Sequence, residues 1–219
     1  GNTEDICDYL GKENWPQDCI HYLPNFVAAD HRPPAPRKML HIPERAKMIL
    51  TLGRLHANKA FDTLVRALAQ VPDAYLVIAG EGPERGAIEA LAQELGVRPR
   101  IRMLGWRDDV PELLAACDLF VCPSRHEPLG NVVIEAWAQG RPVVATASVG
   151  PAALIEDGVD GLLTPVDDAP ALAKTINRVL KDDTLAAKLA EAGRQHYERK
   201  FTEQMVVQRY LDFFQEIAD

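Results

Sequence analysis

The sequence contains no uninterrupted run of 18 apolar residues, and its first residues, GNTEDICDYLGKENW, are too polar for the core of a signal peptide. We therefore expect neither a membrane-spanning helix nor export, and the cytoplasm is the expected location. With 219 residues, the chain can bury one substantial core, which predicts one full domain plus appended elements.

Dense clusters of Lys and Arg are also missing. The 24 basic residues are outnumbered by 32 acidic ones, so the formal net charge is −8. No basic stretch is dense enough to follow a phosphodiester backbone, and we therefore expect no nucleic-acid partner.

Cysteine is scarce as well. Cys7, Cys19, Cys117 and Cys122 have neither the close paired spacing nor the His partners of a zinc site, so no metal site is expected. Four cysteines are too few for a disulfide scaffold in a chain of this length. We predict that all four are buried free thiols.

From Lys47 onward, short apolar β-rich runs alternate with segments of helical periodicity. This alternation is typical of an α/β domain, in which a parallel sheet is covered by helices on both faces. The predicted strands are residues 48–54, 75–80, 100–104, 118–124, 142–147 and 161–165. The clearest helices between them are predicted at residues 61–70, 83–96 and 129–140.

The two ends of the chain differ from this pattern. Residues 170–219 are predicted to be helical, with breaks near Asp182 and Thr202, and the last segment is apolar enough to need a partner surface. Residues 1–46 have few periodic apolar positions and include the proline-rich stretch HRPPAPRK, which suits a linker.

In open α/β sheets the ligand binds beyond the carboxyl ends of the strands, so the loops after the strands are the candidate sites. The loop after the first strand begins with Gly53-Arg54 and contains Lys59. Two cations without nearby carboxylates suit an anion such as a diphosphate, because Arg offers a planar fork and Lys a compact charge. Solvated surface residues are the alternative.

The loop after the second strand contains Gly82 and Pro83 and leads into a helix. It does not fit a dinucleotide-binding fingerprint, because Arg85 replaces the third Gly and Arg100 stands where an acidic residue is required. A tight turn approached closely by a ligand and a simple strand-to-helix turn both remain possible.

The loop after the fourth strand is the most informative, because Glu127 and Glu135 bracket seven residues. A helix starting near Leu129 would offer the free amides of Leu129, Gly130 and Asn131 to an anion. The carboxylates would be separated by roughly 10–12 Å along the helix axis, about the span from a hexose to a ribose across a diphosphate. An ionised carboxylate accepts hydrogen bonds from paired hydroxyls, but helix-dipole and solvated roles are alternatives.

Other residues near these loops have simpler interpretations. Val133 and Trp137 fall at helical spacing and are predicted to lie in the core. His126 could line a sugar site or be a hydrogen-bonded loop residue. The pair Asp108-Asp109 is interpreted as the cap of a helix beginning near Val110, while the same stretch, with Trp106 and Arg107, could border a nucleobase.

Taken in order, these motifs resemble the retaining glycosyltransferases of family 4, also called glycosyl transferases group 1, which share the two-domain GT-B fold. The resemblance covers about residues 47–170. The motifs that carry it are Gly53-Arg54-Leu55 with Lys59, Gly80-Glu81-Gly82-Pro83, Leu104-Gly105 with Asp109-Val110, Pro123-Ser124, Glu127-Pro128-Leu129-Gly130 with Glu135-Ala136, Pro142-Val143-Val144-Ala145 and Asp157-Gly158-Val159-Asp160-Gly161.

The resemblance implies a Rossmann-like, three-layer donor-binding domain, which is one half of the GT-B fold. Residues 1–46 would be the end of the N-terminal acceptor domain and the interdomain linker, residues 47–200 the nucleotide-sugar domain, and residues 201–219 a helix that packs back on the missing domain. Phe213, Phe214 and Ile217 would cover that missing surface.

The resemblance also implies roles for individual residues. Arg54 and Lys59 would contact the diphosphate, Glu127 with the amides of Leu129 and Gly130 the donor sugar, and Glu135 the ribose. The positions implied to line the donor site are Gly53, Arg54, Lys59, Gly82, Pro83, Trp106, Arg107, Glu127, Leu129, Gly130, Asn131 and Glu135, with Glu127, Arg54 and Lys59 supporting catalysis. Ala60 and Leu129 depart from a common Gly and a common Phe of the family.

The implied activity is transfer of a hexose from a nucleoside diphosphate sugar to a saccharide, lipid or other hydroxyl acceptor, in glycan or lipopolysaccharide biosynthesis. A UDP-sugar is favoured, with GDP- or ADP-sugars as alternatives, and no cofactor is implied. The sequence has no Asp-any-Asp triplet, so a required metal is not expected. A nucleotide-sugar epimerase of the same fold and a non-catalytic nucleotide-binding module are the alternatives, and the missing domain could attach peripherally to a membrane.

Overall fold

The computed structural model describes residues 1–29 and 32–218, without the side chains of Glu4 and Asp5. His31, in the predicted linker, and Asp219 lie outside the described residues. In the described part, six strands form one parallel sheet in the order β3-β2-β1-β4-β5-β6. They are β1 Lys47–Leu52, β2 Ala74–Ala79, β3 Ile101–Gly105, β4 Leu119–Cys122, β5 Val143–Thr146 and β6 Leu162–Thr164. All six predicted strands are confirmed, with ends that differ by at most two residues.

Helices connect and flank the strands. They are α1 Glu4–Lys12, α2 Phe61–Leu68, α3 Arg85–Glu94, α4 Val110–Ala116, α5 Asn131–Ala138, α6 Val149–Leu154, α7 Ala169–Lys181, α8 Asp183–Lys200 and α9 Glu203–Glu216. The predicted breaks at Asp182 and Thr202 are confirmed. Each of these two side chains caps the next helix by accepting a hydrogen bond from a backbone amide three residues later.

The sheet is buried on both faces, which explains why its strands are almost wholly apolar. On one face Ile49 and Leu76 pack against α2, α3 and α7. On the other, Leu50 and Phe120 pack against α4, α5 and α8 around Trp137, which is fully buried, as is Val133. The α/β three-layer prediction is therefore confirmed.

The first 29 residues contain a helix that the sequence pattern did not reveal. Helix α1 lies in residues 1–46, the range that the resemblance assigns to the end of the N-terminal domain and the interdomain linker. Such a short amphipathic helix has too few periodic apolar positions to be detected in the sequence. The segment is attached to the domain where the Tyr197 hydroxyl donates to the carbonyl of Val27 at 2.8 Å. Phe213 of α9 packs against His21, with ring centroids 4.7 Å apart, whereas Phe214 and Ile217 are exposed.

The four cysteines are free thiols, but only two of them are buried. Cys117 and Cys122 lie in the core, and burial raises the pKa of both thiols, that of Cys117 to about 12. Cys7 is half-buried and Cys19 exposed, so the prediction is wrong for these two, which belong to the N-terminal segment and not to the core. Among the described residues, no helix is both long enough and apolar enough to cross a membrane.

Candidate functional site

The strand order reverses between β1 and β4, and this reversal creates a crevice at their carboxyl ends. The loops that border it are residues 53–60, after β1, and residues 123–130, after β4. These are the two loops in which the sequence places Lys59 and Glu127, so the topology brings both residues to one place.

Glu127 lies in the loop that follows β4, at the border of this crevice. Its side chain accepts a hydrogen bond from the Lys59 ammonium, and its second oxygen lies 3.4 Å from the amide nitrogen of Gly130. Glu127 is only 7% exposed, so its charge is shielded from solvent and balanced by Lys59. The expectation that both cations lack a carboxylate neighbour is therefore wrong for Lys59, because sequence separation gave no sign of this contact.

Arg54 differs from Lys59 in exposure and pairing. Its side chain is exposed and makes no hydrogen bond or ion pair with the described residues. Gly53 lies beneath the Lys59 stem, whose Cε would be 3.3 Å from a Cβ at that position. With the Lys59 charge already balanced, Arg54 supplies the uncompensated positive charge on this loop.

Helix α5 begins directly beside Glu127. Gly130 has a φ of 73° and is the N-cap of the helix, so its left-handed conformation favours glycine. The amides of Leu129 and Asn131 make no hydrogen bond within the described residues, whereas the Gly130 amide faces Glu127. Two of the three predicted amides are thus available to an anion.

Glu135 lies on the second turn of α5 and is half-buried. Within the described part of the chain it has no hydrogen-bond or ion-pair partner. Burial, and secondarily the negative charge of Glu127, raise the pKa of the Glu135 carboxyl above its ordinary value. Its oxygens are therefore free to accept hydrogen bonds from a ligand.

The loop after β2 packs closely on the loop after β1. A Cβ at position 82 would lie 2.4 Å from the carbonyl oxygen of Leu55, so the protein's own backbone already requires the glycine. Pro83 is exposed at the start of the connection to α3. The role of Gly82 and Pro83 in contacting a donor stays a prediction.

The loop after β3 carries the residues predicted to border a nucleobase. Trp106 is 80% exposed, so its ring is available for stacking. Arg107 donates to both carboxylate oxygens of Asp109, from Nε at 2.7 Å and also from Nη2. Asp109 occupies the N-cap position of α4, as predicted, but its side chain makes no capping hydrogen bond because Arg107 binds the carboxylate instead.

Arg125 is a residue of the site for which the sequence suggested no role. It lies between β4 and Glu127, and its guanidinium binds Asp62 of α2 and Asp167, which follows β6. Gly150 of α6 also supports the site, since its amide donates to the Glu127 carbonyl at 2.7 Å. The position of Arg125 just after a strand could have marked it as a candidate, but neither aspartate could be assigned without the fold.

Comparison with known proteins identifies the family of the chain. Residues 34–196 match the family model of the glycosyl transferases group 1. The chain belongs to this family.

Relatives and solved structures extend the likeness over nearly the whole chain. The chain is 38% identical over 210 residues to the lipopolysaccharide core biosynthesis glycosyltransferase LpsE of Rhizobium meliloti (strain 1021), covering 96% of this chain and 62% of LpsE. It is 26% identical to Alr3699/HepE of Anabaena, whose complex with UDP matches with a TM-score of 0.92 over 99% of this chain and 63% of that one. The HepE complex with UDP-glucose matches with the same identity and coverage and a TM-score of 0.89.

The fold is therefore α/β and Rossmann-like and matches part of the GT-B glycosyltransferase fold, as the sequence resemblance implied. The chain spans about 62% of the length of LpsE.

Proposed function

We propose that this chain is the donor-binding part of a retaining glycosyltransferase that takes a hexose from a nucleoside diphosphate sugar. The observation that carries the proposal is the buried Glu127 carboxylate, paired with Lys59 beside the N-terminus of α5. A UDP-sugar is the favoured donor, and the complexes of HepE with UDP and UDP-glucose support this choice. GDP- and ADP-sugars are the alternatives.

In the proposed binding mode, the diphosphate lies between Arg54 and the free amides of Leu129 and Asn131. The sugar lies against Glu127, and the ribose hydroxyls donate to Glu135, the carboxylate without a partner. Trp106 and Arg107 border the base.

In the proposed reaction, the bond between the anomeric carbon and the diphosphate oxygen breaks as the acceptor oxygen bonds to the same face of the sugar. The departing phosphate takes the acceptor's proton. Arg54, Lys59 and the start of α5 stabilise the negative charge on the leaving group. Because the unpaired Arg54 and the free amides at the start of α5 supply positive charge, we propose that no metal and no cofactor is required.

The acceptor is a saccharide, lipid or other hydroxyl compound, and the acceptor groove belongs to the part of the protein beyond these 219 residues. Proximity and orientation can supply roughly 7–11 kcal/mol of a reaction barrier, so we propose that this chain alone binds donor without transferring it. Cytoplasmic location, and any peripheral membrane contact through the remaining part, belong to the same proposal.

The proposal is tested by calorimetric titration of this chain with five ligands: UDP-glucose, GDP-mannose, ADP-glucose, UDP and inorganic phosphate. We expect a clear preference for one sugar nucleotide over inorganic phosphate. Equal weak binding of all five would indicate a module with an unrelated ligand. In a chain extended to the length of the relatives, transfer that survives EDTA and gives a product anomer matching the donor would support the metal-independent, retaining reaction.

A further inference from the structure

Arg125 lies in the loop that carries Glu127, but its guanidinium is directed to the neighbouring loop. Its Nη1 and Nη2 donate to the Asp62 carboxylate at 2.9 and 2.8 Å, and its Nε is 2.6 Å from Asp167. Nη1 also donates to the carbonyl of Ala57 at 2.7 Å. We refer to Arg125 together with Asp62, Asp167 and the Ala57 carbonyl as the Arg125 clamp.

The clamp holds the Lys59 loop on both sides of Lys59. Ala57 precedes Lys59 and Asp62 follows it, and both are bound by the same guanidinium. In addition, the backbone amides of Arg125 and His126 donate to the carbonyl of Asn58 at 2.8 and 3.2 Å. The loop therefore has little freedom to move away from Glu127.

The turn after Lys59 needs such restraint. Ala60 has φ 50° and ψ 38°, a left-handed conformation that is unfavourable for a residue with a Cβ. Burial alone would raise the pKa of Asp62, but hydrogen bonds from Arg125 and the charge of Arg125 lower it, so the clamp is held as an ion pair.

We propose that Arg125 is a positioning residue of the candidate site, which fixes residues 57–62 so that the Lys59 ammonium stays on Glu127 and faces the donor diphosphate. An arginine is required because its planar fork can bind two carboxylates and a carbonyl at once, whereas a lysine presents a single point of charge. The part of this inference that concerns the donor rests on the proposed function.

A matched control lies at the opposite end of β4, the strand that Arg125 follows. Arg37 donates to Asp118 at 2.8 Å and to the carbonyls of Ala46 and Ala116 at 2.7 and 2.9 Å. Asp118 directly precedes β4, whereas Arg125 follows it, so Arg37→Ala removes similar hydrogen bonds far from the crevice.

The first test needs no ligand. The rate at which acetic anhydride modifies Lys59 is compared, by mass spectrometry, with that of the exposed Lys174 in the same chain. We expect Arg125→Lys and Arg125→Ala to raise this ratio at least about threefold, because the amine separates from Glu127, while Arg37→Ala leaves the ratio unchanged. An unchanged ratio in Arg125→Lys, with the fold verified by circular dichroism, would overturn the proposal.

The second test is a double-mutant cycle read by UDP-glucose calorimetry. We expect Lys59→Ala to weaken binding at least about threefold less in the Arg125→Lys background than in the unsubstituted chain, because Lys59 is already displaced there. Lys59→Ala and Arg37→Ala should instead act independently. Independent effects of Lys59 and Arg125 would overturn the positioning role at the donor site. If the unsubstituted chain binds no UDP-glucose, the proposed donor is wrong, and the amine ratio alone decides the role of Arg125.

Discussion

Glu127 and Glu135 are eight positions apart in the sequence, but their carboxylates lie in opposite electrostatic surroundings. Glu127 is buried and accepts hydrogen bonds from Lys59 and the Gly130 amide. Glu135 is half-buried without a partner in the described residues, and burial raises its pKa. Pairing fixes the first carboxylate in place, whereas the second keeps its oxygens available.

This difference in surroundings fits two different proposed roles for the two carboxylates. A carboxylate that is held in place before the ligand arrives can orient a reacting sugar at little further cost. A carboxylate that has lost part of its solvent contact without gaining a partner can recover hydrogen bonds when hydroxyl groups bind. The two proposed roles therefore rest on the surroundings of each carboxylate.

The largest effect is expected from Glu127→Ala in a chain extended to the length of the relatives. We expect turnover to fall on the order of 10²–10³-fold, because the substitution removes the fixed carboxylate and releases Lys59. Release of nucleoside diphosphate with a suitable acceptor measures this. Glu94→Ala, at an exposed acid near the end of α3, is the control. If the turnover of the Glu127 variant is within about twofold of that of the parent chain, Glu127 has no part in the reaction.

Glu135→Gln is expected to weaken donor binding by roughly 1–3 kcal/mol, because glutamine keeps the size of the side chain but offers one acceptor oxygen in place of two. The comparison is sharpened with a donor that lacks the ribose hydroxyls, for which the loss should vanish. Calorimetry gives both affinities. If the substitution weakens the binding of both donors equally, Glu135 supports the helix and does not bind the ribose hydroxyls.

Lys59→Ala and Arg54→Ala separate the paired cation from the unpaired one. Lys59→Ala should lower the free energy of unfolding by roughly 1–3 kcal/mol, because it leaves the buried Glu127 without its cationic partner. Arg54→Ala should change it by less than about 0.5 kcal/mol, since Arg54 is exposed. Urea denaturation measures both.

The donor affinities of these two variants provide a second measurement. The loss caused by Arg54→Ala should be greater at low than at high ionic strength, because salt screens an exposed charge on a phosphate. The Lys59 variant should show less dependence on salt. An unchanged affinity in both variants would exclude these cations from the site.

The smallest effect concerns stability and pH. A carboxyl whose pKa is raised on folding stabilises the folded chain below its unfolded-state pKa, and this contribution is lost as pH rises through the raised folded-state pKa. At neutral pH the burial of this ionisable group therefore lowers stability, so Glu135→Gln should raise the Tm. The gain should disappear at about pH 4, near the ordinary pKa of a glutamate. Thermal melts at both pH values measure this, with Glu94→Gln as the control. Absence of a Tm gain at neutral pH would contradict the prediction.

Much of this architecture could be predicted from sequence because its signals are local. The six strands are short apolar runs, and the helix breaks at Asp182 and Thr202 coincide with residues whose own side chains cap the next helix. Asp109 shows the limit of such reasoning. It occupies the expected cap position, but its carboxylate binds Arg107, two residues away, and makes no hydrogen bond to the helix amides.

Contacts between distant parts of the chain were not predictable in the same way. Lys59 and Glu127 are 68 positions apart, and Arg125 and its partner Asp167 are 42 positions apart. Each residue was identifiable as a charged group after a strand or at a helix end. Their pairing depends on which strands are neighbours.

The sequence by itself determined the parallel α/β pattern, the chemistry of the loops and the resemblance to the group 1 glycosyltransferases, because periodicity and motif order are properties of the linear chain. Only the tertiary structure decided that β1 lies beside β4. That adjacency joins Lys59 to Glu127 and allows Arg125 to reach the Lys59 loop, while Glu135 is half-buried and has no partner among the described residues. Hydrogen bonds and desolvation depend on distances in space, and these are fixed only when the sheet assembles.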